Sequence, residues 1–201
     1  VRVLAEETDL IKEGTKVMMV SSVDRFGMAE ALTGIGCDIT FGDLIFAAGI
    51  PYPIKTVKEL EEIADRILPE IAKMPFHMIY PTGKKQESQD EAKVQKFAGY
   101  YLDAEVIAGD FHLIRRFMPS GLNGQTILTN TTTPDDLDFL KEKGVGTLVT
   151  TTPEYEGRSF GTNVMEAALV AVLGKPWAEI TPEDYLELLG RLNFRPRILN
   201  L

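Results

Sequence analysis

The sequence has one cysteine, Cys37, and two histidines, His77 and His112, in 201 residues. A lone cysteine excludes an internal disulfide and any cysteine-rich metal site, and two distant histidines offer no ligand spacing of the usual kind, so no metal is expected. Cys37 reads as a small core residue. Long apolar runs are also lacking. The longest, near residues 104–109 and 164–173, fall far short of the ~18–20 residues that span a bilayer, and no basic-then-apolar leader opens the chain. A cytoplasmic protein with no membrane partner is the expectation. Positive charge is in deficit: 21 Lys and Arg stand against 30 Asp and Glu, a net charge of −9. That excludes a broad nucleic-acid surface, which needs clustered cations to displace counterions. Any anion site must therefore be local. With 44% hydrophobic residues and no Ser/Gly linker or charge block, the chain can bury one sizeable core.

What the sequence does contain is an alternation of short β-rich runs with amphipathic stretches. KVMMV (16–20), DITF (38–41), HMIY (77–80), EVIA (105–108), TILT (126–129) and TLVT (147–150) are expected strands. Helices are expected at 26–35, 56–73, 87–101, 111–117, 135–143, 162–173 and 182–192. In TPDDLDFLKEKG (133–144), Thr133 caps, Pro134 takes the first position, acids fill the first turn and lysines the last, and Gly144 ends the helix. TPEDYLELLG (181–190) repeats that start and ends in another glycine. Strands separated by helices of this length pair in parallel through right-handed crossovers. The fold expected over residues 15–201 is α/β, a doubly wound, mostly parallel sheet of about six strands in a Rossmann-like three-layer sandwich. VRVLAEETDLIKEG (1–14) reads as the end of a helix stopped by Gly14, a linker from a possible upstream domain of a longer chain.

Ligands of such sheets collect beyond the carboxyl ends of the strands, and the residues there are unusually polar. The first strand is followed by Ser21, Ser22, Asp24 and Arg25, the second by Gly42 and Asp43, and the third by Lys84 and Lys85. Gly109, Asp110, His112, Arg115 and Arg116 follow the fourth, Asn130 and Thr131 to Thr133 the fifth, and Thr151, Thr152 and Arg158 the sixth. Laid over residues 22–27, the GxGxxG fingerprint keeps only its packing glycine, Gly27, and puts the acid Asp24 nearest a pyrophosphate. The free N–H groups of that helix start still attract an anion. Asp43 lies 16 residues past Gly27, near the spacing of ~20 at which an acid holds the adenosine ribose. A second turn, RSFGTNVMEAAL (158–169), echoes RFGMAEAL (25–32) and gathers Arg158, Ser159, Gly161, Thr162 and Asn163 at a helix start. His112 beside Asp110 is the candidate acid or base. No GxSxG elbow or Walker A spacing is present.

SSVDRFGMAEAL, FGDLIFAAGIPYPI, YPTGKKQE, VIAGDFHLIRRFMP, TNTTTP and TTTPEYEGRSFGTNVMEAALVA together resemble a little-characterised bacterial family labelled quinate/shikimate 5-dehydrogenase-like. The resemblance covers most of the chain and implies a nicotinamide cofactor, NAD or NADP, with hydride transfer at the ring carbinol of a cyclic polyol acid. It also implies that the family's catalytic Lys and Asp belong to an amino-terminal substrate domain. Ser22, Asp24, Arg25, Gly27, Asp43, Gly109, Asn130 and Thr131 are then the expected cofactor-binding residues, with Asp110 and His112 near the reacting end. Lys84, Arg115, Thr151, Arg158, Ser159, Gly161, Thr162 and Asn163 are the expected substrate or anion contacts. The alternative is a non-catalytic domain that binds or senses a small anionic metabolite through Arg158, Asn163, Arg115 and the threonine loops.

Overall fold

Residues 1–75 and 88–201 are described by a computed structural model. The chain runs α1 (Arg2–Glu7), β1 (Lys16–Met19), a 3₁₀ turn (Val23–Arg25), α2 (Phe26–Ile35), β2 (Asp38–Phe41), a π-helical turn (Asp43–Ala48), α3 (Val57–Ile71), α4 (Glu91–Leu102), β3 (Val106–Ala108) and α5 (Phe111–Phe117). It continues through β4 (Thr126–Thr129), α6 (Pro134–Lys143), β5 (Thr147–Thr150), a hairpin of β6 (Glu154–Tyr155) and β7 (Arg158–Ser159), α7 (Thr162–Leu173), a 3₁₀ turn (Trp177–Glu179), α8 (Pro182–Arg191) and β8 (Arg197–Asn200). Six strands form one sheet in the order β2–β1–β3–β4–β5–β8, parallel except for β8.

The sheet is buried on both faces, so its strands are nearly all apolar or threonine. Met18, Ile107, Ile127 and Leu148 point to one side, where they pack with Phe97 and Tyr101 of α4, Ile114 and Phe117 of α5 and Leu140 of α6. Val17, Met19, Val106, Ala108, Leu128 and Val149 point to the other, against Leu4 of α1, Ala29 and Leu32 of α2 and Leu60 of α3. These are the three layers expected of a doubly wound α/β protein. From β1 the chain moves out to β2 and returns to place β3 on the opposite side of β1, so strand order reverses between β1 and β3. That switch point, at the carboxyl edge, is where the fold opens a crevice.

Several expectations are corrected. The first helix ends at Glu7, where the Thr8 hydroxyl and N–H both turn back to the Leu4 carbonyl at 2.5 and 3.0 Å. Gly14, with φ +78°, makes instead the turn into β1 and donates its N–H to Gly36 O at 2.9 Å. Leu4 and Ile11 are buried with α2, so this segment packs on the core. Helix α8 passes through Gly190 rather than ending there. Two elements were not expected from the sequence: the β6–β7 hairpin, which turns at Glu156 and Gly157 with φ of 50° and 82°, and β8. The HMIY run and Lys84 lie outside the described residues. Among the described residues, no helix is long and apolar enough to cross a membrane.

Candidate functional site

The crevice is built from the turns after β1, β2 and β3. Gly109 has φ +135°, and a Cβ there would sit 3.4 Å from the Ser21 carbonyl, so glycine lets the turn after β3 lie against the turn after β1. Asp110 caps α5 by accepting the His112 backbone N–H at 3.0 Å, and its other oxygen takes the Arg25 guanidinium at 3.1 Å. Arg25 also lies 3.6 Å from Asp24, whose other oxygen accepts the Ser21 hydroxyl at 2.5 Å. Asp43, the first residue of the π turn, reaches across from β2 and accepts the backbone N–H groups of Ser22 and Val23, at 2.9 and 3.1 Å, on one oxygen. Two carboxylates, Asp24 and Asp110, thus share the Arg25 guanidinium, and Asp43 holds the backbone of the same turn. Burial lifts the Asp24 carboxyl above the ordinary carboxylate range, and the charges of Asp110 and Asp43 push the same way, against the Ser21 hydrogen bond and Arg25. The second oxygen of Asp43 and the hydroxyl of Ser22 are both buried without a hydrogen-bond partner among the described residues.

Beside this cluster lies a cavity of about 500 Å³. Its walls are apolar: Leu44 from the π turn, Leu60, Ile63 and Ile67 from α3, and Leu113 and Phe117 from α5. Ser21, Asp24 and Asp43 line it with polar groups, as do the cations Lys93 and Arg116. Lys93 donates its Nζ to the carbonyls of Phe46 and Ala47, at 2.6 and 3.3 Å, closing the carboxyl end of the π turn. Burial pulls its ammonium below the usual lysine range. Size, apolar walls and a few convergent polar groups are the features of small-molecule sites.

The other half of the rim is closed on itself. Thr132 bonds Ser159 twice, through its N–H at 2.8 Å and hydroxyl to hydroxyl at 2.9 Å. Asn130 donates to the Thr162 hydroxyl at 3.0 Å, and the Thr152 hydroxyl faces the carbonyls of Asn130 and Phe160. The Thr151 N–H donates to Thr129 O, and Gly161, next to the Thr131 hydroxyl, precedes α7. These bonds tie the hairpin and α7 to the ends of β4 and β5. Arg158 is exposed on the hairpin and Asn163 on α7. Arg115 is held by Asp136 at 2.6 Å and stacks 4.4 Å over Phe139.

The structure therefore brings together Ser22, Asp24, Arg25, Asp43, Gly109 and Asp110 at the switch point, and Asn130, Ser159 and Thr162 at a second, internally bonded cluster. Gly27 has open space where a Cβ would stand, so it does not serve close helix–strand packing. Gly42, by contrast, is tightly packed, since a Cβ there would lie 2.3 Å from Met18 Cε. Sequence reasoning did not find α3 and Lys93 as cavity walls. The signal was the apolar stripe at 60, 63, 64, 67, 68 and 71, of which only Leu60 is buried in the core.

Fold and crevice define a doubly wound α/β protein with an apolar cavity at the carboxyl edge of its sheet. The chain belongs to the family described as a domain of unknown function, DUF8754, whose profile matches residues 1–201. Comparison with the curated proteins and with the solved structures gives no match.

Proposed function

We propose that the chain is the nucleotide-binding portion of a nicotinamide-linked oxidoreductase, acting with NAD or NADP on a cyclic polyol acid. The observation that carries this reading is the position of the cavity: it opens at the carboxyl ends of β1 and β2, beside Asp43 and the switch point, where doubly wound sheets take their ligands. Its apolar walls suit a flat base, and the carboxylates of Asp43 and Asp24 suit the hydroxyls of a ribose. Gly109 packs against Ser21 at the edge of this site, and Asp110 and His112 follow it at the start of α5. A bound nicotinamide would supply a hydride acceptor for the carbinol. In this reading His112, half-buried at the start of α5, takes the hydroxyl proton. The polyol acid comes from the resemblance to the quinate/shikimate dehydrogenase-like family.

The test is thermal unfolding with NAD and with NADP. At a hundredfold excess over Kd, binding adds about 2.7 kcal/mol to stability, which is about 5–10 °C in Tm for a chain of this length. Ala64→Phe, which fills the cavity from α3, removes that shift. No shift with either cofactor overturns the reading. One observation favours the second reading, a non-catalytic pocket for a small anionic metabolite: the amides of Ser22 and Val23 are already occupied, while Lys93 and Arg116 line the cavity. Under it, an acid without a nucleotide raises Tm and no nicotinamide absorbance change occurs with any polyol.

A further inference from the structure

The amides of Ser22 and Val23 converge on one point, the arrangement by which successive N–H groups bind an anion. The anion on them is the protein's own Asp43. Three features make this occupant a poor match for its place. No cation pairs with Asp43 among the described residues. Its second oxygen is buried and accepts nothing from the described residues, which leaves its desolvation cost without a compensating bond from them. The hydroxyl of Ser22, a residue with 0% exposure whose N–H holds the carboxylate, likewise has no partner among the described residues. A phosphoryl group has three oxygens where Asp43 presents one, enough to accept both amides and a further hydroxyl. The cavity is lined by Ser21, Val23, Asp24 and Asp43, the immediate neighbours of this point.

We propose that Asp43 is an exchangeable occupant of an anion site: a phosphoryl group of the ligand displaces its carboxylate from the Ser22 and Val23 amides, and the freed carboxylate turns to the hydroxyls of the same ligand. The second half of the exchange rests on the nucleotide reading above; the first does not. The exchange also accounts for a turn without its first two glycines, because the anion seat is kept filled by a side chain until a ligand arrives.

Inorganic pyrophosphate and adenosine are the probes, each titrated into the full chain by calorimetry and by amide-resolved NMR. Asp43→Ala vacates the amides and binds pyrophosphate about tenfold tighter than the parent protein, the loss of roughly one competing charge-assisted hydrogen bond. The shifted signals are those of Ser22 and Val23. Asp43→Asn keeps an acceptor for both amides but loses the charge, so it gives an intermediate gain and carries the test if the alanine variant fails to fold. Glu30→Gln removes an exposed charge from α2, outside the cavity lining and without touching the amides, and changes the affinity less than about twofold. Equal gains in the Glu30 and Asp43 variants, or no gain in either Asp43 variant, overturn the exchange. With pyrophosphate present to free the carboxylate, adenosine binds the parent and loses affinity in Asp43→Ala. A gain for pyrophosphate with no binding of NAD or adenosine leaves the anion seat standing and removes the nucleotide reading. NAD binding unchanged by both Asp43 variants does the reverse.

Discussion

Gly42→Ala tests how the π turn, and with it Asp43, is held. The backbone of Gly42, with φ −96° and ψ 11°, is open to alanine, so the cost of the substitution is steric. The new methyl would lie 2.3 Å from Met18 Cε and 2.6 and 2.7 Å from the Phe46 ring. Met18 ends in a flexible tip, but the Phe46 ring is fixed by a stack on Phe117 at 5.1 Å and edge contacts to Tyr101 and Phe97 at 5.6 and 6.0 Å. Overpacking of this kind costs about 2–3 kcal/mol, the upper part of the usual range. The narrower unfolded ensemble of alanine returns about 0.4–1 kcal/mol, so the net loss is about 1–2.5 kcal/mol. In Tm that is a fall of about 2–10 °C for a chain of this size. Gly27→Ala is the matched control: its Cβ meets nothing within 4 Å, and it sits in the first turn of α2, so it gains about 0.5–1 kcal/mol. Urea and thermal unfolding of the two variants are the assay. A Gly42→Ala protein as stable as the parent, or a Gly27→Ala protein less stable, refutes the packing described here.

Two further outcomes follow from the charged groups. The Asp24 carboxyl is raised in the folded protein, so the folded state holds its proton more tightly than the unfolded chain, and this group's contribution to stability falls as pH rises through its titration. Asp24→Asn therefore raises stability at neutral pH, by less than about 1 kcal/mol because the side chain is 42% exposed and screened, and the accompanying rise in Tm fades below about pH 4. A gain that persists unchanged at low pH contradicts this. Arg115→Ala strands Asp136, whose side chain is only 12% exposed and which also closes the capping box of α6. Breaking that pair costs about 1–3 kcal/mol, discounted from the fully buried case because the guanidinium keeps some solvent contact, and a double-mutant cycle with Asp136→Asn recovers most of it as coupling.

How much of this was legible in the sequence depended on where each signal resided. DITF, TILT and TLVT became strands with the expected bounds because β-branched runs between turn residues have no competing local choice. The helices at 26–35, 111–117 and 162–173 were equally legible. Strand β8 was not: RILN alternates half-buried with exposed positions and pairs antiparallel at the sheet edge, a weak pattern. The early end of α1 turns on a single hydroxyl, that of Thr8. At the site, Asp43 was legible as a residue, but its partners are backbone amides, which carry no side-chain signature. The threonines after β4 and β5 were visible as polar strand ends. That Thr132, Thr152 and Ser159 would bond inward, to one another and to backbone carbonyls, depends on how the hairpin folds back.

The most direct test is an amide-resolved NMR titration of the full chain with NAD. The account predicts shifts centred on Ser21 to Val23, Asp43 to Ala48 and Gly109 to Asp110, saturating together. Shifts confined to the hairpin and α7, or none at millimolar cofactor, would contradict it.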